Sequence, residues 1–338
     1  MDRFTVMFAV ITAAVFGLTA LVEHWLIPVL RSYKVGQVIK EDGPIWHQSK
    51  SGTPTMGGIG FILPVLIVMI VFLIMRAVKG DSSSFIPFVL TLAYAVFNGA
   101  IGFVDDYCKL IKHENEGLTE LQKLFLQLVM ASAYVCVMSY TGNLDTAVEV
   151  PFFNVTWELG WFYYPLAILV LTGVVNGGNI TDGIDGLACS VSLVIGIFIS
   201  VLAFTQKDLQ LSLVGAILVG AMLGFLIYNL HPAKVFMGDT GSLFLGALVI
   251  SAAFQIGQEL VGLIVSAVFI MEMLSSFLQK MVFKITRITT GTGKRLFRMA
   301  PLHHHLEKGG WKEGRIVIVF SAVEAAFCLL AWIAVVWF

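Results

Sequence analysis

FIPFVLTLAYAVFNGAIGFVDDYCK, residues 85–109, decides what kind of molecule this is. From Phe85 to Val104 the run carries no charge, and about 20 such residues are enough to cross a bilayer as a helix. It then ends on two adjacent carboxylates, Asp105 and Asp106. Ionisable groups are costly beside a bilayer, so those kept there mark a functional site. Neighbouring carboxylates also repel each other unless a cation lies beside them, and either a divalent metal or the nearby Lys109 would serve. The competing reading is a solvated helix end. Acids at a helix C-terminus oppose its dipole, however, and an unfavourable placement argues for a use.

Working outward, the same pattern recurs along the chain. Of the 338 residues 58% are hydrophobic and only 13% charged, which excludes a soluble domain of this size. Ten spans are expected, at 4–30, 57–79, 85–104, 121–141, 160–178, 187–205, 209–228, 241–258, 260–283 and 315–337. They make one all-α polytopic transmembrane domain over residues 1–338. The first run is too long for a signal-peptide core and lacks a small-residue cleavage site, so it counts as a span. An even number of spans places both termini on one side. All of the 21 Lys and Arg except Arg3, Arg76, Lys79 and Lys207 fall in connections 31–56, 105–123, 229–240 and 280–315. That side is cytoplasmic by the positive-inside rule, and both termini are extracytoplasmic. The outer connection 142–159 alternates and predicts a small hairpin. Cys108, Cys136, Cys189 and Cys328 show no paired spacing, so neither disulfides nor a zinc site are expected. No nucleic-acid partner is expected either.

Asp105, Asp106, Asp182, Asp185 and Asp239 all fall on the cytoplasmic side. Carboxylates converging at a membrane surface suit the holding of a divalent metal against phosphates. In NITDGIDGLA (179–188), capping would account for one or two of Asn179, Thr181, Asp182 and Asp185, but not for all of them. A polar helix start also attracts anions, such as a nucleotide phosphate. In HPAKVFMGDTGS (231–242), Asp239 reads as a metal ligand, with helix capping as the competitor. In MAPLHHHLEKGGW (299–311), the spacing of His303, His304 and His305 does not suit zinc. The imidazoles suit hydrogen bonds to a diphosphate or a substrate hydroxyl, against the alternative of a plain surface loop. SKSGTPTMGG (49–58) brings Lys50 and Thr55 to a span entry, a weak signal by itself. Lys280, Lys284 and Arg287 form a stripe at helical spacing, open equally to a lipid phosphate and to simple positive-inside charge. Glu23, Glu272 and Glu324, within or near spans, are expected to make interhelical hydrogen bonds.

Taken in order, SGTPTMGG, FVDDYCK, NITDGIDGLA, VFMGDTGS and APLHHHLE resemble the polyprenyl-phosphate N-acetylhexosamine-1-phosphate transferases over the whole chain. GTPTMGG and PLHHHLE point to the muramoyl-pentapeptide branch. The resemblance implies a ten-helix fold and transfer of phospho-MurNAc-pentapeptide from UDP-MurNAc-pentapeptide to undecaprenyl phosphate, giving lipid I and UMP with Mg2+. It implies Asp239 as magnesium ligand with Asp182 near the metal, Asp105 and Asp106 as the catalytic pair, and Lys109 and Lys123 on phosphates. Asn179, Asp182 and Asp185 would lie near the uridine nucleotide, Phe236 beside the uracil, Lys50 and Thr55 in the nucleotide pocket, and His303, His304 and His305 on the substrate side. Gly178 is a departure, since the family more often has a bulkier residue before this Asn. A UDP-GlcNAc transferase of the same superfamily remains the alternative. A transporter with aspartates as ion ligands is a further class, disfavoured because no repeat or broken helix pair is visible. Oligomeric state is left open, with a homodimer through outer-face helices as one arrangement.

Overall fold

The computed structural model describes residues 3–32, 52–80, 85–112, 117–153 and 155–337. The apolar runs fold as helices: α1 (Arg3–Ser32), α2 (Gly58–Val78), α3 (Ile86–Lys112), α4 (Glu120–Tyr140), α5 (Tyr163–Thr181), α6 (Leu187–Gln206), α7 (Leu209–Asn229) and α8 (Gly238–Gln255). Short α9 (Glu259–Ile264) leads into α10 (Ala267–Thr290), and short α11 (Leu302–Glu307) precedes α12 (Glu313–Trp337). The expected hairpin is present, with β1 (Ala147–Val150) antiparallel to β2 (Val155–Glu158) and Val150 paired with Val155. All four cysteines are free.

α8 is the hub. Every residue from Thr240 to Gln255 is buried, as befits a helix that is apolar on all sides. α3, α5, α2 and α9 pack on it, while α1 and α12 dock outside on α7 and α6. The α3–α8 approach is closest at Gly102, where a Cβ would stand 2.1 Å from the carbonyl oxygen of Asp239. Only glycine permits that contact, and it brings the end of α3 against the start of α8.

Among the described residues eight helices, α1 to α7 and α12, are long and apolar enough to cross a membrane, which makes this a multi-pass membrane protein. α8 and α10 cover the eighth and ninth expected spans but are not among the eight. α8 carries Asp239 in its first turn and is enclosed by protein, so it has no need of a lipid-compatible surface. α10 carries Glu272 and ends in the Lys280, Lys284, Arg287 stripe.

Three local expectations change. α3 does not stop before the aspartates; it runs on through them to Lys112. The single span expected at 260–283 is broken at Val265–Ser266, where buried Glu324 of α12 accepts the N–H of Val268 (3.0 Å) at the start of α10. Glu23, expected to bridge helices by hydrogen bonding, lies buried against Gly60 of α2 without a hydrogen-bond partner among the described residues.

Candidate active site

Because α3 continues past its two aspartates, Lys109 falls one turn beyond both, at i+4 from Asp105 and i+3 from Asp106. Its ammonium pairs with Asp105 and lies 3.9 Å from Asp106 Oδ1. Asp106 turns towards α8. Its Oδ2 accepts the N–H (2.9 Å) and the hydroxyl (2.7 Å) of Thr240, and its Oδ1 accepts the N–H of Asp239 at 3.3 Å. It therefore caps the first turn of α8 from another helix, satisfying donors that a helix start leaves open. Capping, the competitor for Asp239, thus falls to Asp106.

Asp239 is left to face outward. Its Oδ2 receives Lys123 Nζ of α4 at 2.7 Å and Lys109 Nζ at 3.2 Å, while its Oδ1 accepts from Asn179 Nδ2 of α5 at 2.9 Å. Asn179 also reaches Ser242 at 2.8 Å. Asp105 lies beneath, fully buried, accepting the N–H of Leu118 at 2.8 Å with Lys123 at 3.4 Å. The Asp239 side chain is 18% exposed against none for that of Asp105, so Asp239 is the carboxylate within reach of a ligand. Burial opposes ionisation of Asp239. The hydrogen bond with Asp105 and the two ammonium groups outweigh it and hold this carboxyl well below the usual range. One oxygen from each of Asp105, Asp106 and Asp239 lies within 4.8 Å of the others. An all-oxygen donor set of that span suits a hard divalent cation.

A second group, Asp185, His231 and Glu313, meets the same spacing. Helix capping was the competing reading for the stretch that carries Asp185, yet α6 has no side-chain cap. Instead Asp185 Oδ2 accepts the N–H of Ala233 (3.0 Å) and lies 3.0 Å from His231 Nδ1, while Glu313 Oε2 accepts the N–H of Asp185 (3.2 Å). These residues line an open cavity of about 970 Å³ together with Thr53, Phe236, Trp311, Lys312 and Arg315. Arg315 stacks over the Trp311 ring at 4.1 Å.

Phe236 and Thr55 reach the site through one backbone pairing. Phe236 N–H donates to Pro54, and the N–H groups of Gly57 and Gly58 donate to Phe236 and Met237. This brings the Thr55 hydroxyl beside Gly238, next to Asp239. Asp182 ends α5, its N–H on the carbonyl of Asn179 (3.3 Å), and belongs to neither carboxylate group. The three histidines form short helix α11 where a loop was the alternative, and none joins a metal-type group among the described residues. Lys50 lies outside the described residues.

Sequence reasoning missed His231, Glu313, Thr240 and Ser242. His231, Thr240 and Ser242 stand inside the quoted HPAKVFMGDTGS motif, so the motif itself was the available signal. Glu313 had none, since it meets Asp185 from 128 residues away.

Residues 87–257 match the family described as Glycosyl transferase family 4. Among similar proteins are three named phospho-N-acetylmuramoyl-pentapeptide-transferase. That of Shouchella clausii is 41% identical over 100% of this chain and 99% of its own. Those of Halalkalibacterium halodurans and Bacillus subtilis are each 40% identical, over 95% of this chain and 95% and 96% of theirs.

Proposed function

This chain belongs to the phospho-N-acetylmuramoyl-pentapeptide-transferases within glycosyl transferase family 4, and from that premise we propose how its aspartate–lysine cluster serves the reaction. The protein transfers phospho-MurNAc-pentapeptide from its UDP carrier to undecaprenyl phosphate, forming lipid I and UMP in peptidoglycan biosynthesis. The observation that carries the assignment to this cluster is the convergence of Lys109 and Lys123 on Asp239 from two other helices.

Two anionic partners must meet for this transfer, and phosphates in contact repel strongly unless countercharge is present. Lys109 and Lys123 supply fixed positive charge at the point of approach and stabilise the charge that develops on the departing UMP. Mg2+ is the proposed cofactor, with Asp239 as ligand in the oxygen set it forms with Asp105 and Asp106; Asp182, at the end of α5, is the further ligand that the family resemblance implies. When bound, it neutralises phosphate oxygens and withdraws charge from the leaving group. Asp105 and Asp106 work from beneath: Asp105 holds the two lysines, and Asp106 fixes the helix start that carries Asp239. Asn179, Asp182, Asp185, Phe236, Thr55 and Lys50 are proposed to take the uridine nucleotide. His303, His304 and His305 are proposed to serve the substrate side, His303 from a fully buried position.

The soluble donor comes from the cytoplasm and the lipid acceptor from the bilayer. The proposed topology therefore has ten spans, extracytoplasmic termini and a site at the cytoplasmic face of the bacterial cell membrane. Charge asymmetry along the sequence supports it. A homodimer through outer-face helices is the proposed assembly, and a monomer mass in nanodiscs would remove it.

The test is UMP release by purified protein given undecaprenyl phosphate and Mg2+, with UDP-MurNAc-pentapeptide or UDP-GlcNAc offered separately. Release with the muramoyl donor alone, abolished by EDTA, is the expected result. Release with UDP-GlcNAc instead would move the chain to another branch.

A further inference from the structure

Each histidine of the trio is held through Nδ1 by a different group. His304 Nδ1 lies 2.6 Å from Glu307, His305 Nδ1 accepts the N–H of Arg298 at 3.1 Å, and His303 Nδ1 lies 2.9 Å from Glu272 Oε2. The last pairing stands apart because both partners are fully buried and Glu272 comes from α10. Its other oxygen accepts the backbone N–H of the same histidine at 3.1 Å. One carboxylate thus spends both oxygens on a single residue.

A carboxylate only accepts, so the arrangement calls for the ring proton on Nδ1, with Nε2 on the ring's far edge. That Nε2 is buried and has no hydrogen-bond partner among the described residues. It abuts Gly183, where a Cβ would stand 2.1 Å from Nε2 and 2.6 Å from Cε1. Gly183 is the middle of the turn between Asp182 and Asp185. The turn is therefore shaped to this ring edge, and the ring is oriented by Glu272.

We propose that Glu272 is a positioning residue, which acts through His303 to brace the Asp182–Asp185 turn in the conformation that receives the nucleotide donor. The proposal rests on the transferase reading of the same site. A buried carboxyl–imidazole pair is weak evidence for added stability and fits a role in setting geometry better. Holding a ring in one tautomer and orientation is also what carboxylate partners do for functional histidines elsewhere.

The test is a set of thermodynamic cycles with KM measured separately for each substrate. Glu272→Gln should raise KM for UDP-MurNAc-pentapeptide by about 10-fold and leave KM for undecaprenyl phosphate within about twofold. Gly183→Ala should act in the same direction. In a His303→Ala background, each change should cost less than about threefold of the residual turnover, because both act through the missing ring. Equal costs in the two backgrounds would overturn the proposal. So would a fall in active enzyme with both KM values unchanged, the mark of a plain helix staple.

A readout without turnover is the 15N spectrum of histidine-labelled protein. The His303 ring, assigned by its absence in His303→Ala, should show a protonated Nδ1 and bare Nε2 in wild type and lose that pattern in Glu272→Gln, and the opposite tautomer would sink the idea. If the enzyme accepts UDP-GlcNAc instead, the same cycles run with that donor, so an error about substrate stays separate from an error about Glu272.

Discussion

Asp239 gathers Lys109, Lys123 and Asn179 on its two oxygens, and its backbone N–H is held by Asp106. Asp239→Asn keeps the volume but removes the charge, so turnover should fall by at least about 10³-fold while the detergent elution profile stays unchanged. Normal turnover would remove Asp239 from the chemistry. Lys123→Met should cost less, on the order of 10²-fold, because Lys109 remains. A carboxyl held below the usual range keeps its charge above that range and loses it only in stronger acid. An acid limb in the turnover profile between about pH 5 and 7 therefore belongs to another group, and Asp239→Asn should restore no activity at any pH in that window. At this scale the sequence was legible in kind: five acids on one side announced phosphate and metal chemistry. It was not legible in role. Asp106 caps a helix whose first turn lies 133 and 134 residues away, and no local pattern encodes that partner.

At the scale of elements, the site depends on how closely α3 meets α8. Gly102→Ala must drive the helices apart, because its methyl would stand 2.1 Å from a backbone oxygen that cannot rotate away. We expect a loss of about 1–3 kcal/mol, read as a lower melting temperature in detergent, together with at least 10-fold slower turnover. Wild-type values for both would show that the approach is not needed. Gly178, the one departure from the family pattern, has a similar setting: its Cβ would stand 3.0 Å from Gly246 Cα on α8. Most helices could be read directly, since apolar length is a local property. The break between α9 and α10 could not, because the side chain that receives an N–H at the start of α10, Glu324, comes from distant α12. Helix α11 escaped for a similar reason, being anchored by Glu272 of α10 through His303.

For the whole molecule, hydropathy gave the membrane class and alternation gave the hairpin, while the eighth and ninth expected spans fall on helices that are enclosed by protein or carry charge and do not qualify as spans. The proposed sidedness has a direct check. In a cysteine-free background, Phe153→Cys should react with an impermeant maleimide added to intact cells, and Lys308→Cys only after the membrane is opened. The reverse pattern would invert the topology. The central claim is that Asp239 and its neighbours hold the divalent cation, rather than the Asp185, His231 and Glu313 group that shares their spacing. The measurement that tests it most directly is Mn2+ binding by paramagnetic resonance to protein in nanodiscs, for wild type, Asp239→Asn and Asp185→Asn. The account predicts bound Mn2+ in wild type and Asp185→Asn and none in Asp239→Asn. Mn2+ retained by Asp239→Asn and lost by Asp185→Asn would contradict it.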